Sequence, residues 1–132
     1  MKTVLLVDDD NVFLLAVGVR LKALGYTVCT SKDAVSAVSA VRKNNPDIVV
    51  LDVSLPAGDG FLVVERLQKL PGVATAPIII ITASDDPELP QRAMKAGAVA
   101  FLKKPFDAET LANVIESAQS PAENCQPLAK AV

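Results

Sequence analysis

Short apolar runs alternate along this chain with longer stretches in which apolar positions recur every three or four residues. Thr3–Val7 is one such run, closed by Asp8, Asp9 and Asp10, and a short continuous apolar stretch of this kind reads as a buried strand. Phe13, Val17, Leu21 and Leu24 then fall at helical spacing and form one apolar stripe. Gly25 suits the position just past that helix, where a left-handed backbone is favoured. Residues 26–30 predict a second strand, and Ala34, Val38 and Val41 mark a second helix opening near Ser31 or Asp33. Asn44-Asn45-Pro46 stops it, because proline restricts the residue before it. Residues 48–51 are almost purely apolar, which predicts a central strand buried on both faces, with Asp52 at its end.

The segment from Leu55 to Gly60 is a loop on its turn chemistry. A third helix carries Val64, Leu67 and Leu70, and after Pro71-Gly72 residues 78–81 predict a fourth strand ending at Thr82. The fourth helix starts between Asp86 and Leu89, since Pro90 would cost a hydrogen bond anywhere beyond the first turn. Residues 99–102 form a fifth strand, and Asp107 caps a fifth helix bearing Leu111, Val114, Ile115 and Ala118. The expected division is one domain over residues 1–120 and a loose tail over 121–132, with no helix-turn-helix or second module read there.

Five strand–helix alternations with short connections predict an α/β fold, a doubly wound parallel (βα)5 sheet. Right-handed crossovers place the carboxyl ends of all strands on one edge, where such sheets bind ligands. Strand one delivers Asp8 and Asp9 to that edge, strand three Asp52, strand four Thr82, and strand five Lys103 and Lys104. Strand two brings only Thr30 and Ser31, so it belongs outside the site, as it does in the flavodoxin-like order 2-1-3-4-5.

Composition narrows the chemistry. Half of the 132 residues are apolar but only 4% are aromatic, so the core is aliphatic. A formal net charge of −2 argues against nucleic acid or an anionic membrane as the main partner. The first apolar run is too short and too quickly followed by acids for a signal peptide, and no stretch is long enough to span a bilayer. Cys29 and Cys125 have no metal-ligand spacing and read as reduced thiols of a cytoplasmic protein. There is no histidine, which removes the commonest general base and phosphoryl donor.

Three carboxylates gathered from neighbouring strands repel one another by about 4 kcal/mol per close pair at 4 Å and a typical effective dielectric. A small hard dication relieves this, and Mg²⁺ suits because it takes one or two carboxylates and leaves its other positions to water and phosphate oxygens. The acidic loop after strand one has no glycines to cradle a nucleotide phosphate alone. Thr82 can donate to one phosphoryl oxygen and a lysine can hold another. Asp52 needs no base, being a nucleophile at neutral pH that can form an acyl phosphate.

The runs Leu5-Leu6-Val7-Asp8-Asp9-Asp10, Val50-Leu51-Asp52, Pro56-Ala57-Gly58-Asp59-Gly60, Ile81-Thr82-Ala83 and Lys104-Pro105-Phe106 resemble a response-regulator receiver domain, over about residues 2–119. The chemotaxis member of that family is a standard instance of the 2-1-3-4-5 order, so the resemblance implies the same topology. The resemblance implies that Asp52 is phosphorylated by a sensor histidine kinase or a His-containing phosphotransfer protein. It implies that Asp9, Asp52 and the backbone carbonyl of Ser54 ligate Mg²⁺ directly, with Asp8 acting largely through water. It makes Lys104 the phosphate-pairing lysine, turns Lys103 away, sets the Lys104–Pro105 peptide cis, and puts Phe101 at an aromatic switch position. On phosphorylation Thr82 is expected to move toward the phosphoryl group, leaving space into which Phe101 turns. A downstream effector domain or protein would read the change, with phosphorylation-linked dimerisation as a further outcome. Neither direct nucleic-acid nor membrane contact is expected, and any reaction is confined to self-catalysed phosphorylation and dephosphorylation of Asp52.

Plainer readings exist for single residues. Asp8 and Asp9 could cap the first helix, the role assigned to Asp10, and Thr82, Lys104 or Phe101 alone could be an ordinary strand-end, surface or core residue. A Mg²⁺-dependent phosphatase of haloacid-dehalogenase type would need an acid two residues after the nucleophile, where Ser54 stands. A protein-binding module that keeps the fold without taking phosphate is the third reading.

Overall fold

The structure is a computed structural model that describes residues 2–53, 60–69 and 76–118. Ser54, the Pro56–Asp59 part of the loop, Leu70, Pro71-Gly72, Cys125 and the tail of residues 121–132 lie outside the described residues. Five strands and five helices alternate: β1 (Thr3–Val7), α1 (Asn11–Ala23), β2 (Thr27–Ser31), α2 (Ala34–Asn44), β3 (Ile48–Asp52), α3 (Gly60–Gln68), β4 (Ile78–Thr82), α4 (Leu89–Lys95), β5 (Ala100–Lys103) and α5 (Ala108–Ala118). The sheet is parallel throughout, in the order β2-β1-β3-β4-β5.

Two cores lie on the two faces of this sheet, because alternate residues of a strand point to opposite sides. Val4, Leu6, Ile48, Val50, Ile79 and Ile81 pack on one face under α1 and α5 through Leu14, Val17, Leu21, Leu111 and Ile115. Leu5, Val7, Val49, Leu51, Ile78 and Ile80 pack on the other under α2, α3 and α4 through Val41, Val64, Leu67 and Ala93. β3 and β4 are buried along their whole length, as strands covered on both faces must be.

Among the described residues, three helices open on an aspartate. Asp10 accepts from the amides of Val12 (3.0 Å) and Phe13 (3.2 Å), Asp33 from Ser36 (2.8 Å) and Asp107 from Thr110 (2.8 Å). Each satisfies first-turn amides that have no partner within the helix. Gly25 (φ 101°) follows α1, and Asn45 (φ 46°) closes α2 in the left-handed region just before Pro46.

The sequence expectations depart from the structure in small ways with definite causes. β2 and β5 each lie one residue later than the apolar runs suggested, ending at Ser31 and Lys103. Asp52 is the last residue of β3 rather than the residue after it. α1 buries Leu14, Val17, Gly18 and Leu21, while Leu24 is exposed, because this helix is apolar on almost every side and spacing alone does not choose its inner face. α4, by contrast, begins at Leu89, within the expected range, so Pro90 falls in the first turn, where its missing N–H is no loss.

Candidate functional site

The parallel arrangement brings the strand ends together as a single carboxyl edge. Val7 pairs in register with Leu51, and Asp52 with Ile81, so Asp8 and Asp52 leave adjacent strands at one level and Thr82 follows one residue further along the next strand. Asp8, Asp52 and Thr82 are buried, whereas Asp9 is exposed. One carboxylate oxygen from each of Asp8, Asp9 and Asp52 lies within 4.8 Å of the other two.

Lys104 reaches into this cluster from the turn after β5. Its Nζ lies 2.5 Å from Asp8 Oδ2 and 3.2 Å from Asp52 Oδ2, with its side chain only 17% exposed. The Lys104–Pro105 peptide is cis, and the Lys104 amide donates to the Thr82 carbonyl at 2.7 Å, which ties the turn to β4. The Asp8 carboxylate is held at both ends, since its Oδ1 accepts the Asp10 amide at 3.0 Å.

The electrostatics follow from this crowding. Burial lifts the Asp8 carboxyl above its ordinary value, the Asp52 charge adds to that, and the hydrogen bonds from Lys104 and the Asp10 amide oppose it. For Lys104 burial works against the charge, but the hydrogen bond to Asp8 and the charge of Asp52 outweigh it and hold the ammonium above its ordinary value. Three carboxylates and one ammonium leave a formal charge of minus two. A single dication cancels it, and the all-oxygen donor set suits a hard ion such as Mg²⁺. The residues therefore fit such a metal.

The other residues singled out in the sequence have clear places. Lys103 faces away from the cluster and pairs with Asp85 in the loop after β4. Phe101 is 7% exposed and packs inward with Leu89, Ala93 and Ala98 beside α4. From Thr82 a ladder of bonds runs to α4: the Ser84 amide donates to Thr82 Oγ1 (3.1 Å), the Asp86 amide to Ser84 Oγ (3.1 Å), and the Glu88 amide to Asp86 Oδ1 (2.9 Å). Glu88 is the residue before α4.

Two features escaped the sequence. The ring of Phe13 lies under the Lys104 ammonium, 4.3 Å from Nζ to its centroid, and Lys103 finds Asp85. Both join residues far apart in the chain, and no spacing rule encodes such partners.

The comparisons with known proteins agree with one another. A family model described as the response regulator receiver domain matches residues 4–116. The chain is 39% identical over 114 residues to a gliding motility regulatory protein of Myxococcus xanthus, covering 86% of this chain and 15% of that protein. It is 36% identical over 106 residues to the transcriptional regulatory protein KdpE of Mycobacterium tuberculosis, covering 80% and 46% respectively. The chain thus spans less than half the length of these curated relatives. Among solved structures, the chemotaxis response regulator CheY4 of Vibrio cholerae matches with a TM-score of 0.81 at 31% identity, over 89% of this chain and 98% of that one.

Proposed function

This chain belongs to the response regulator receiver domain family of two-component signalling, and from that premise we propose that Asp52 accepts a phosphoryl group from a sensor histidine kinase or a His-containing phosphotransfer protein. The observation that carries the reading is the convergence of Asp8, Asp9 and Lys104 on a buried Asp52 at the end of a central strand.

In the transfer, a carboxylate oxygen of Asp52 attacks phosphorus. The new O–P bond forms as the P–N bond of the donor phosphohistidine breaks, and the bonding pair stays with the imidazole nitrogen. Lys104 is within reach of the transferred group, because it already touches the acceptor carboxylate. Its compact charge would pair with one phosphoryl oxygen, and the Thr82 hydroxyl would donate to another. Asp8, Asp9 and Asp52 would hold Mg²⁺, with the Ser54 carbonyl, outside the described residues, as a further ligand. The bound ion would neutralise charge on the phosphoryl oxygens.

Phosphorylation would draw Thr82 toward the new group and so alter the Ser84–Glu88 ladder, α4 and the packing around Phe101. Residues 1–120 would form this phosphoacceptor domain and residues 121–132 a tail. An effector domain or protein would read the altered face, with dimerisation as a further outcome. No helix among the described residues is long and apolar enough to cross a membrane, which is consistent with work in the cytoplasm.

Intact mass after incubation with Mg²⁺ and a small phosphodonor tests the proposal. A gain of one phosphoryl group is expected in the wild type and none in Asp52→Asn. Equal labelling of the two proteins, or no labelling of either, would sink it.

A further inference from the structure

We infer that Phe13 is a positioning residue for Lys104, its ring face fixing the lysine ammonium at the mouth of the carboxylate cluster. The inference rests on the role proposed for Lys104 and adds an aromatic participant from α1 to it.

Lys104 Nζ lies 4.3 Å from the Phe13 ring centroid, inside the roughly 6 Å over which a ring quadrupole attracts a cation. Only 17% of the lysine side chain is exposed, so the ammonium has lost most of the water that would otherwise compete with the ring. The ring itself is braced. Phe13 lies in the first turn of α1, with its amide bonded to the Asp10 cap, and its ring meets that of Phe106 edge to face at 5.8 Å and 84°. Phe106 follows Lys104 by two residues, so the turn that carries the lysine also carries the ring that braces its partner.

A lysine side chain has four flexible carbons and an ammonium without directional preference. Asp8 and Asp52 attract that ammonium, but they are the groups proposed to bind a metal, and their hold on the lysine would loosen with it. The face of Phe13 is an attachment that carries no formal charge and is independent of those carboxylates. It keeps the ammonium beside Asp52 whether or not the carboxylates are otherwise engaged.

Three proteins decide the matter: wild type, Phe13→Leu, which keeps apolar bulk but has no ring, and Phe13→Tyr, which restores one. In nuclear magnetic resonance spectra of the full chain, the Lys104 ε-methylene protons should be shifted upfield by the ring in wild type and Phe13→Tyr, and lose that shift in Phe13→Leu. The rate of phosphoryl gain from a small acyl phosphate at saturating Mg²⁺ should fall about fivefold in Phe13→Leu and recover in Phe13→Tyr, as expected for a partly desolvated cation–ring contact. In a Lys104→Met background, Phe13→Leu should change the rate no further, because its effect passes through the lysine.

The inference is overturned if the upfield shift is absent from the wild type, if Phe13→Tyr fails to recover the rate, or if Phe13→Leu slows Lys104→Met as much as it slows the wild type. Failure of the wild type to take a phosphoryl group would instead remove the proposed function, while the ring shift would still decide whether Phe13 holds the lysine.

Discussion

Tyr26 can be watched alone, because the chain has one tyrosine and no tryptophan. Its hydroxyl donates to Glu116 of α5, and burial, reinforced by that carboxylate, pushes the phenol from 10.0 up to about 12. A phenol whose pKa is raised by folding favours the protonated form. Its contribution to stability is therefore complete below pH 10.0, where the unfolded phenol is also protonated, and is lost as pH rises toward 12. Titration of tyrosinate absorbance should give a midpoint about two pH units above that of the unfolded chain, and Glu116→Gln should lower it. A midpoint near 10 in the folded protein would refute the packing described for this residue. Asp33 and Asp107 shift the other way. The backbone amide of Ser36, and for Asp107 the side chain and then the amide of Thr110, hold these carboxyls below their ordinary value. What they add to stability is present above pH 3.8 and disappears as the folded carboxyls protonate in stronger acid.

On α1, two leucines six residues apart have opposite surroundings: Leu21 is fully buried under the sheet and Leu15 is 70% exposed. Leu21→Ala should cost about 2–5 kcal/mol in urea unfolding, through lost burial and the cavity left behind. Leu15→Ala should stay within about 0.5 kcal/mol. Comparable losses at the two sites would mean that α1 packs by another face. This helix also marks where the sequence stopped being legible. Its existence, its Asp10 cap and the Gly25 exit were all readable from local chemistry, but with Val12, Leu15 and Val19 apolar on the outside, periodicity could not tell the inner stripe from the outer. β3 and β4 were readable almost to the residue, since each is a continuous apolar run ended by a polar group. The edge strand β2 was not, because Thr27 and Thr30 face solvent and blur its bounds.

At the scale of the whole molecule, the site was legible because a parallel sheet turns sequence order into spatial proximity. Once five strand ends share an edge, Asp8, Asp52, Thr82 and Lys104 must meet. The ring beneath Lys104 and the Lys103–Asp85 pair depend on the paths of individual side chains, which topology does not fix. A ligand that binds only the folded cluster should stabilise the entire domain. At one hundred times its dissociation constant, Mg²⁺ should add about 2.7 kcal/mol to the unfolding free energy. Asp9→Asn, which removes the exposed member of the cluster, should shrink that gain, and an unchanged gain would refute a site built on these carboxylates. The ladder from Thr82 to Glu88 carries a different consequence. Its two rungs to hydroxyl oxygens are worth about 1 kcal/mol net each, less than twice the thermal energy, and the exposed rung to the Asp86 carboxylate about 1.5–3 kcal/mol. A linkage that weak cannot work as a latch. Were Asp52 phosphorylated as proposed, the ladder would act as a weighted coin, the modification changing the odds between two arrangements of the loop without setting the outcome.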